Sequence, residues 1–107
     1  MVHFPFGAST LNADAKHALD KMIPIARNAD RIIISGRTDN IGNNKVNDTI
    51  ALARALQVRN YMRDQLLDVA NTIEIDAKGS CCFISKNDTP DGRKENRRVE
   101  VVFTLRG

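Results

Sequence analysis

Two charged side chains in the middle of this sequence are spaced to hold a ligand that carries both signs of charge. Asp39 follows the apolar run Ile32-Ile33-Ile34 and Gly36, where a buried strand gives way to a loop. Thr38 lies at the same junction, and such strand ends often carry binding groups on a rigid frame. Arg54 sits in the helical pattern that follows, seven residues beyond Asn47. That is close to two turns, so both point the same way. A carboxylate at the strand end and a guanidinium on the next helix can face one pocket. The pair suits a zwitterion, with its ammonium on Asp39 and its carboxylate on Arg54. Each residue also has a plainer use. Asp39 can cap its own loop as an Asx turn. Arg54, between Ala53 and Ala55, can be half of a structural ion pair. Thr38 can be a strand-end hydroxyl, and Asn47 a polar residue near a helix N-terminus. Neither Asp39 nor Arg54 lies on an apolar stripe, so replacing either is expected to leave stability nearly unchanged.

The elements that would position them follow from periodicity. Residues 2–6 alternate apolar side chains with His3 and Pro5, a short strand whose proline suits an edge or a strand end. A first helix begins at Ser9 or Thr10, with Leu11, Ala15, Ala18, Leu19, Met22 and Ile23 as its apolar stripe. Pro24 is expected to kink it or end its regular part. Residues 28–30 turn into a strand over 31–35. The loop 39–44, with Gly42 and three asparagines, has turn composition. A second helix runs from about Lys45 to Leu66, burying Ala51, Ala55, Val58, Met62 and Leu66. Residues 73–79 read as a half-buried strand, 80–95 as a long polar loop, and 99–105 as a final alternating strand. The order βαβαβ plus a last strand predicts an α+β fold, a single two-layer domain of residues 1–107.

Composition bounds the function. At 107 residues the chain is one domain with one modest core. Hydrophobic content of 42% and charged content of 27% are those of a globular domain. No apolar run is long enough to span a bilayer, and no leader pattern opens the sequence. Met1 abuts the first strand, which suggests an excised domain whose leader or anchor is missing. A net charge of +3 and a pI near 9.1 favour anionic partners without choosing among them. Cys81 and Cys82 are adjacent and cannot staple a loop. Two free thiols, one buried and one near the surface, are the leading expectation. A bond between the neighbours and an intermolecular disulfide are the alternatives. His3 and His17 are isolated, and no nucleophile elbow, phosphate loop, dinucleotide fingerprint or metal-ligand set is present. No catalytic residue, metal or cofactor is expected.

The residues of the opening paragraph also resemble a family signature. Gly36-Arg37-Thr38-Asp39-Asn40, Gly42, Asn47 and Ala53-Arg54-Ala55 with Val58 are similar to that of the OmpA-like C-terminal domain. That domain is the peptidoglycan-binding module of many bacterial envelope proteins. Asn87-Asp88-Thr89, Gly92-Arg93 and Asn96-Arg97-Arg98-Val99 resemble its second block, and Val2-His3-Phe4-Pro5-Phe6-Gly7 through Leu11 its first strand. The likeness runs in the family's order through nearly the whole chain. It implies a small mixed sheet with the helices on one face. It also implies that Asp39 and Arg54 grip the diaminopimelate of the stem peptide while Thr38 and Asn47 hydrogen-bond the same ligand. Arg97 would stand near the pocket, although packing of its loop is an equal reading. The module would be periplasmic, tethering an outer-membrane or inner-membrane parent to the wall. Membrane contact would come only through a missing anchor or parent domain, and an oligomer stays open. An oxidising compartment would make free thiols unusual.

Three departures from the pattern stand out. Arg37 replaces a frequent histidine and is expected to add charge at the pocket mouth. Gly7 replaces a small polar residue common in the family, which is expected to remove one ligand contact. Gly79-Ser80-Cys81-Cys82-Phe83 replaces a Gly-aromatic-Gly stretch within a shortened segment.

Two rival classes of function compete with this reading. A nucleic-acid or anionic-polymer binder would use Arg93, Lys94, Arg97 and Arg98. An aromatic content of 5% with no Trp offers few stacking platforms for that role. A wall hydrolase would need metal ligands or a carboxylate pair, and neither forms a motif. The partner expected is peptidoglycan rather than nucleic acid.

Overall fold

Polar side chains set the start of each helix in the computed structural model, which describes residues 1–4 and 10–106. Asn12 caps α1 (Ala13–Arg27) by accepting from the Ala15 amide at 2.8 Å. Asn43 caps α2 (Asn44–Gln65) through the Val46 amide at 2.8 Å. Thr89 caps α3 (Pro90–Asn96) through the Gly92 amide at 3.0 Å. Each satisfies an amide that has no partner within its own helix. Pro90 opens α3, where a missing N–H costs nothing.

Four strands form one sheet in the order β1-β4-β2-β3, with β1 (Val2–His3), β2 (Ala29–Gly36), β3 (Thr72–Ala77) and β4 (Arg98–Leu105). Strand β2 is parallel to β3, with α2 as the crossover, and antiparallel to β4, which in turn pairs antiparallel with β1. The register sorts the faces. Ile32 lies between Ile73 and Phe103, and Ile34 between Ile75 and Val101. These meet Leu19 of α1 and Ala55, Val58 and Met62 of α2 in the single core. On the opposite face Ile33 lies between Glu74 and Val102, and Val102 is 54% exposed. The fold is therefore a small α+β domain with a mixed sheet and its main helices on one side.

Some expectations change in the structure. Residues 90–96 are helical rather than part of a loop. Their apolar content is too low to show a period, and the Thr89 cap followed by Pro90 is what starts the turn. Gly92 lets that helix sit against the Lys86 carbonyl, which a Cβ would strike. Helix α1 begins at Ala13, and it runs through Pro24 to Arg27 instead of ending there. Only one turn follows the proline, and Asn28 ties it back by donating to the Ile25 carbonyl at 3.0 Å. Strand β1 stops at His3, although the Phe4 amide still bonds the Arg97 carbonyl at 2.9 Å. Pro5, Gly7 and the Ser9 start lie outside the described residues.

Candidate ligand-binding site

The site is built where β2 ends against the first turns of α2. Gly36 closes that contact: a Cβ there would run into the Ala51 carbonyl of α2. The next amides are held by two other segments. Arg37 donates to the Arg98 carbonyl at 2.9 Å and Thr38 to the Gly79 carbonyl at 2.8 Å. The Thr38 hydroxyl then donates to the Asp39 carbonyl at 2.8 Å. Gly42, at φ +90°, turns the chain back toward the Asn43 cap.

Asp39 is 2% exposed and carries two bonds. Its Oδ1 accepts from the Ile41 amide at 3.0 Å, an Asx turn, and its Oδ2 accepts from Arg97 Nη1 at 3.0 Å. Arg97 is itself fixed by Nε donating to the Phe4 carbonyl at 3.1 Å. The turn-making use and the site position thus coexist in one carboxylate. Asn47 is buried and donates from Nδ2 to Ser80 Oγ at 2.6 Å.

Arg54 is 1% exposed. Its Nη1 donates to the Arg37 carbonyl at 3.1 Å, and its guanidinium carbon lies 5.2 Å from the centre of the Phe4 ring. Burial, helped by the like charge of Arg97 and partly offset by Asp39, lowers its pKa to about 10. It therefore stays charged at neutral pH.

A cavity of about 100 Å³ is lined by Thr38, Asp39, Asn47, Arg54 and Arg97, together with Ile41, Gly42, Val46 and Ile50. The five residues singled out in the sequence thus share one cavity. The isoleucines and the valine were missed. Val46 is 49% exposed and Ile41 45%, so they look like ordinary surface residues unless the cavity beside them is known. The helical spacing of Val46 and Ile50 beside Asn47 and Arg54 was the available signal.

Other expectations do not hold in the structure. Arg37 is not at the cavity but 6% exposed, with Nη2 on Asp76 at 2.8 Å and Nη1 on the Gly36 and Lys78 carbonyls. Burial of its backbone between β3 and β4 carries the side chain inward. The basic segment is only partly a charged surface. Arg98 is 1% exposed, its Nη2 donating to the Cys82 carbonyl at 2.7 Å and its Nη1 to the Asn96 carbonyl at 3.1 Å. Arg93 donates to the Asn87 carbonyl at 2.9 Å. These guanidiniums stitch loops together, so the segment is in large part structural, with Lys94 its exposed member. Cys81 and Cys82 are bonded to each other rather than free. The chain turns sharply there, with Cys82 at φ 61°. Among the described residues no group of three or more His, Cys, Asp or Glu side chains could hold a metal. None of their helices is long and apolar enough to cross a membrane.

A model of the OmpA family matches residues 3–97. The chain is 37% identical over 100 residues to outer membrane protein A of Bordetella avium, covering 92% of this chain and 51% of that protein. It is 39% identical over 74 residues to the peptidoglycan-binding protein ArfA of Mycobacterium tuberculosis, covering 67% of this chain and 22% of that one. It thus spans about half the length of the first relative and less of the second. Among solved structures, the cell wall anchor of the T6SS from Pseudomonas aeruginosa superposes with a TM-score of 0.81. That match has 18% identity and covers 97% of this chain and 76% of the other, so it speaks for the fold alone.

Proposed function

The chain belongs to the OmpA family, and on that premise we propose that it binds peptidoglycan without covalent attachment. Its target is the diaminopimelate of the stem peptide, and the bond tethers a larger envelope protein to the wall. One observation carries the reading: Asp39 and Arg54, of opposite charge, line the same small cavity. The free end of diaminopimelate presents an ammonium and a carboxylate on one carbon. The ammonium would donate to the Asp39 carboxylate, whose Oδ atoms are already oriented by Ile41 and Arg97. The ligand carboxylate would accept from Arg54, steered by the positive charge of Arg97 beside it. Thr38 and Asn47 offer a hydroxyl and an amide for the remaining bonds.

The half-exposed Val46 and Ile41 give the aliphatic chain of the ligand an apolar wall. A relative named as a peptidoglycan-binding protein supports a binding module rather than an enzyme. A place in the periplasm, with any membrane contact made by other parts of the protein, agrees with a relative named as an outer membrane protein.

Co-sedimentation with purified sacculi tests the reading. Diaminopimelate-type wall should pull the chain down, and lysine-type wall should not, because lysine lacks the second carboxylate and leaves Arg54 without its ligand partner. Equal retention on both walls would overturn the diaminopimelate assignment.

A further inference from the structure

The cavity at Asp39 does not stand alone. Ile41 and Arg97 also line an adjoining groove of about 250 Å³, whose other walls are Pro90 and Arg93. Two hollows therefore share a rim. Their described lining holds three guanidinium groups, on Arg54, Arg93 and Arg97, against a single carboxylate, on Asp39. A zwitterionic head is neutral, so a ligand that offers only that head leaves positive charge unanswered.

Arg97 is engaged through two of its three side-chain nitrogens, with Nε on Phe4 and Nη1 on Asp39. Arg93 is engaged through one. Its Nη1 donates to the Asn87 carbonyl at 2.9 Å, which fixes the side chain. Its backbone is fixed as well, donating to the Thr89 carbonyl at 3.0 Å and accepting from the Arg97 amide at 3.1 Å. Among the described residues its Nε and Nη2 have no hydrogen-bond partner. A held guanidinium with donors to spare, on the wall of a groove without a carboxylate, is suited to an anion.

We propose that this groove is a second subsite, taking a carboxylate of the same peptide next to the residue held in the cavity. The proposal rests on the diaminopimelate reading above and adds to it. In a stem peptide, diaminopimelate is joined through an amine to the side-chain carboxyl of D-glutamate. The α-carboxylate of that glutamate is left free a few bonds away, and in some peptides it is amidated instead. Amidation removes the charge and keeps the shape. Arg93 is the residue that distinguishes the two forms. Ile41, at the rim shared by the hollows and 45% exposed, covers the aliphatic chain that passes between them.

The test is calorimetric titration of the chain with the tripeptide L-Ala-γ-D-Glu-meso-diaminopimelate and with its glutamate α-amide. Wild type should bind the acid about tenfold more tightly, a difference of about 1.4 kcal/mol. Arg93→Gln, which keeps an N–H for Asn87, should bind both peptides with the affinity wild type shows for the amide. Equal binding of the two peptides by wild type, a comparison that needs no variant, overturns the second subsite and leaves the clamp standing. A preference retained in folded Arg93→Gln also overturns it. Failure of wild type to bind either peptide overturns the clamp, and the subsite with it.

Discussion

Arg97 Nη1 lies 3.0 Å from Asp39 Oδ2, joining two side chains that are only 13% and 3% exposed. The other aspartate oxygen is held by the Ile41 amide. The carboxylate is thus oriented from two sides by the protein itself, and the ordering cost of binding is already met. The ion pair also makes the burial of each charge tolerable. Removing one partner strands the other, so Arg97→Gln and Asp39→Asn should share part of their cost. In urea denaturation the double variant should be less destabilised than the sum of the singles, with a coupling of about 1–3 kcal/mol. Additivity within about 0.5 kcal/mol would contradict a direct pair.

Arg54 is the point at which burial changes an expectation about stability. Off the apolar stripe, it reads as removable, yet it is 1% exposed and its Nη1 satisfies the Arg37 carbonyl. Arg54→Ala should cost about 2–4 kcal/mol of folding stability, from the stranded carbonyl and the vacated volume. Arg54→Lys keeps the charge and most of the volume and should cost clearly less. A melting temperature of Arg54→Ala equal to that of wild type would show the buried contacts to be unimportant.

Gly79 holds the far wall of the site. A Cβ there would strike the backbone of Asn47 at the start of α2, while the Gly79 carbonyl holds the Thr38 amide at 2.8 Å. Gly79→Ala should therefore push the loop from the helix and weaken ligand binding at least about tenfold, about 1.4 kcal/mol, even where the variant stays folded. Unchanged affinity of a folded variant for the diaminopimelate tripeptide would separate this loop from the site.

Most of the framework was legible because hydrophobic periodicity reports which face is buried. Ala51, Ala55, Val58, Met62 and Leu66 all lie in the core or at its edge, as their spacing requires. The strand 31–35 was read from its isoleucines and is longer only at its ends, at Ala29–Gly36. What was not legible depends on contacts distant in sequence. Whether Arg37 points to the cavity or to Asp76 is decided by the register of β2 on β3, which one strand alone does not carry. The same holds for Arg98, whose guanidinium is consumed by the Cys82 and Asn96 carbonyls. Short α3 has too few apolar residues to leave a period, and only its Thr-Pro start marked it.

The central claim is that one cavity holds the two charges of a single ligand centre, and titration calorimetry with the diaminopimelate tripeptide tests it most directly. Wild type, Asp39→Asn and Arg54→Lys are compared, each first shown by circular dichroism to be folded, and the lysine tripeptide serves as the ligand control. The account predicts binding by wild type and a loss of at least about tenfold, about 1.4 kcal/mol, in either variant. The lysine tripeptide should bind wild type as poorly as diaminopimelate binds Arg54→Lys. Wild-type affinity in both folded variants, or equal affinity for the two tripeptides, would contradict it.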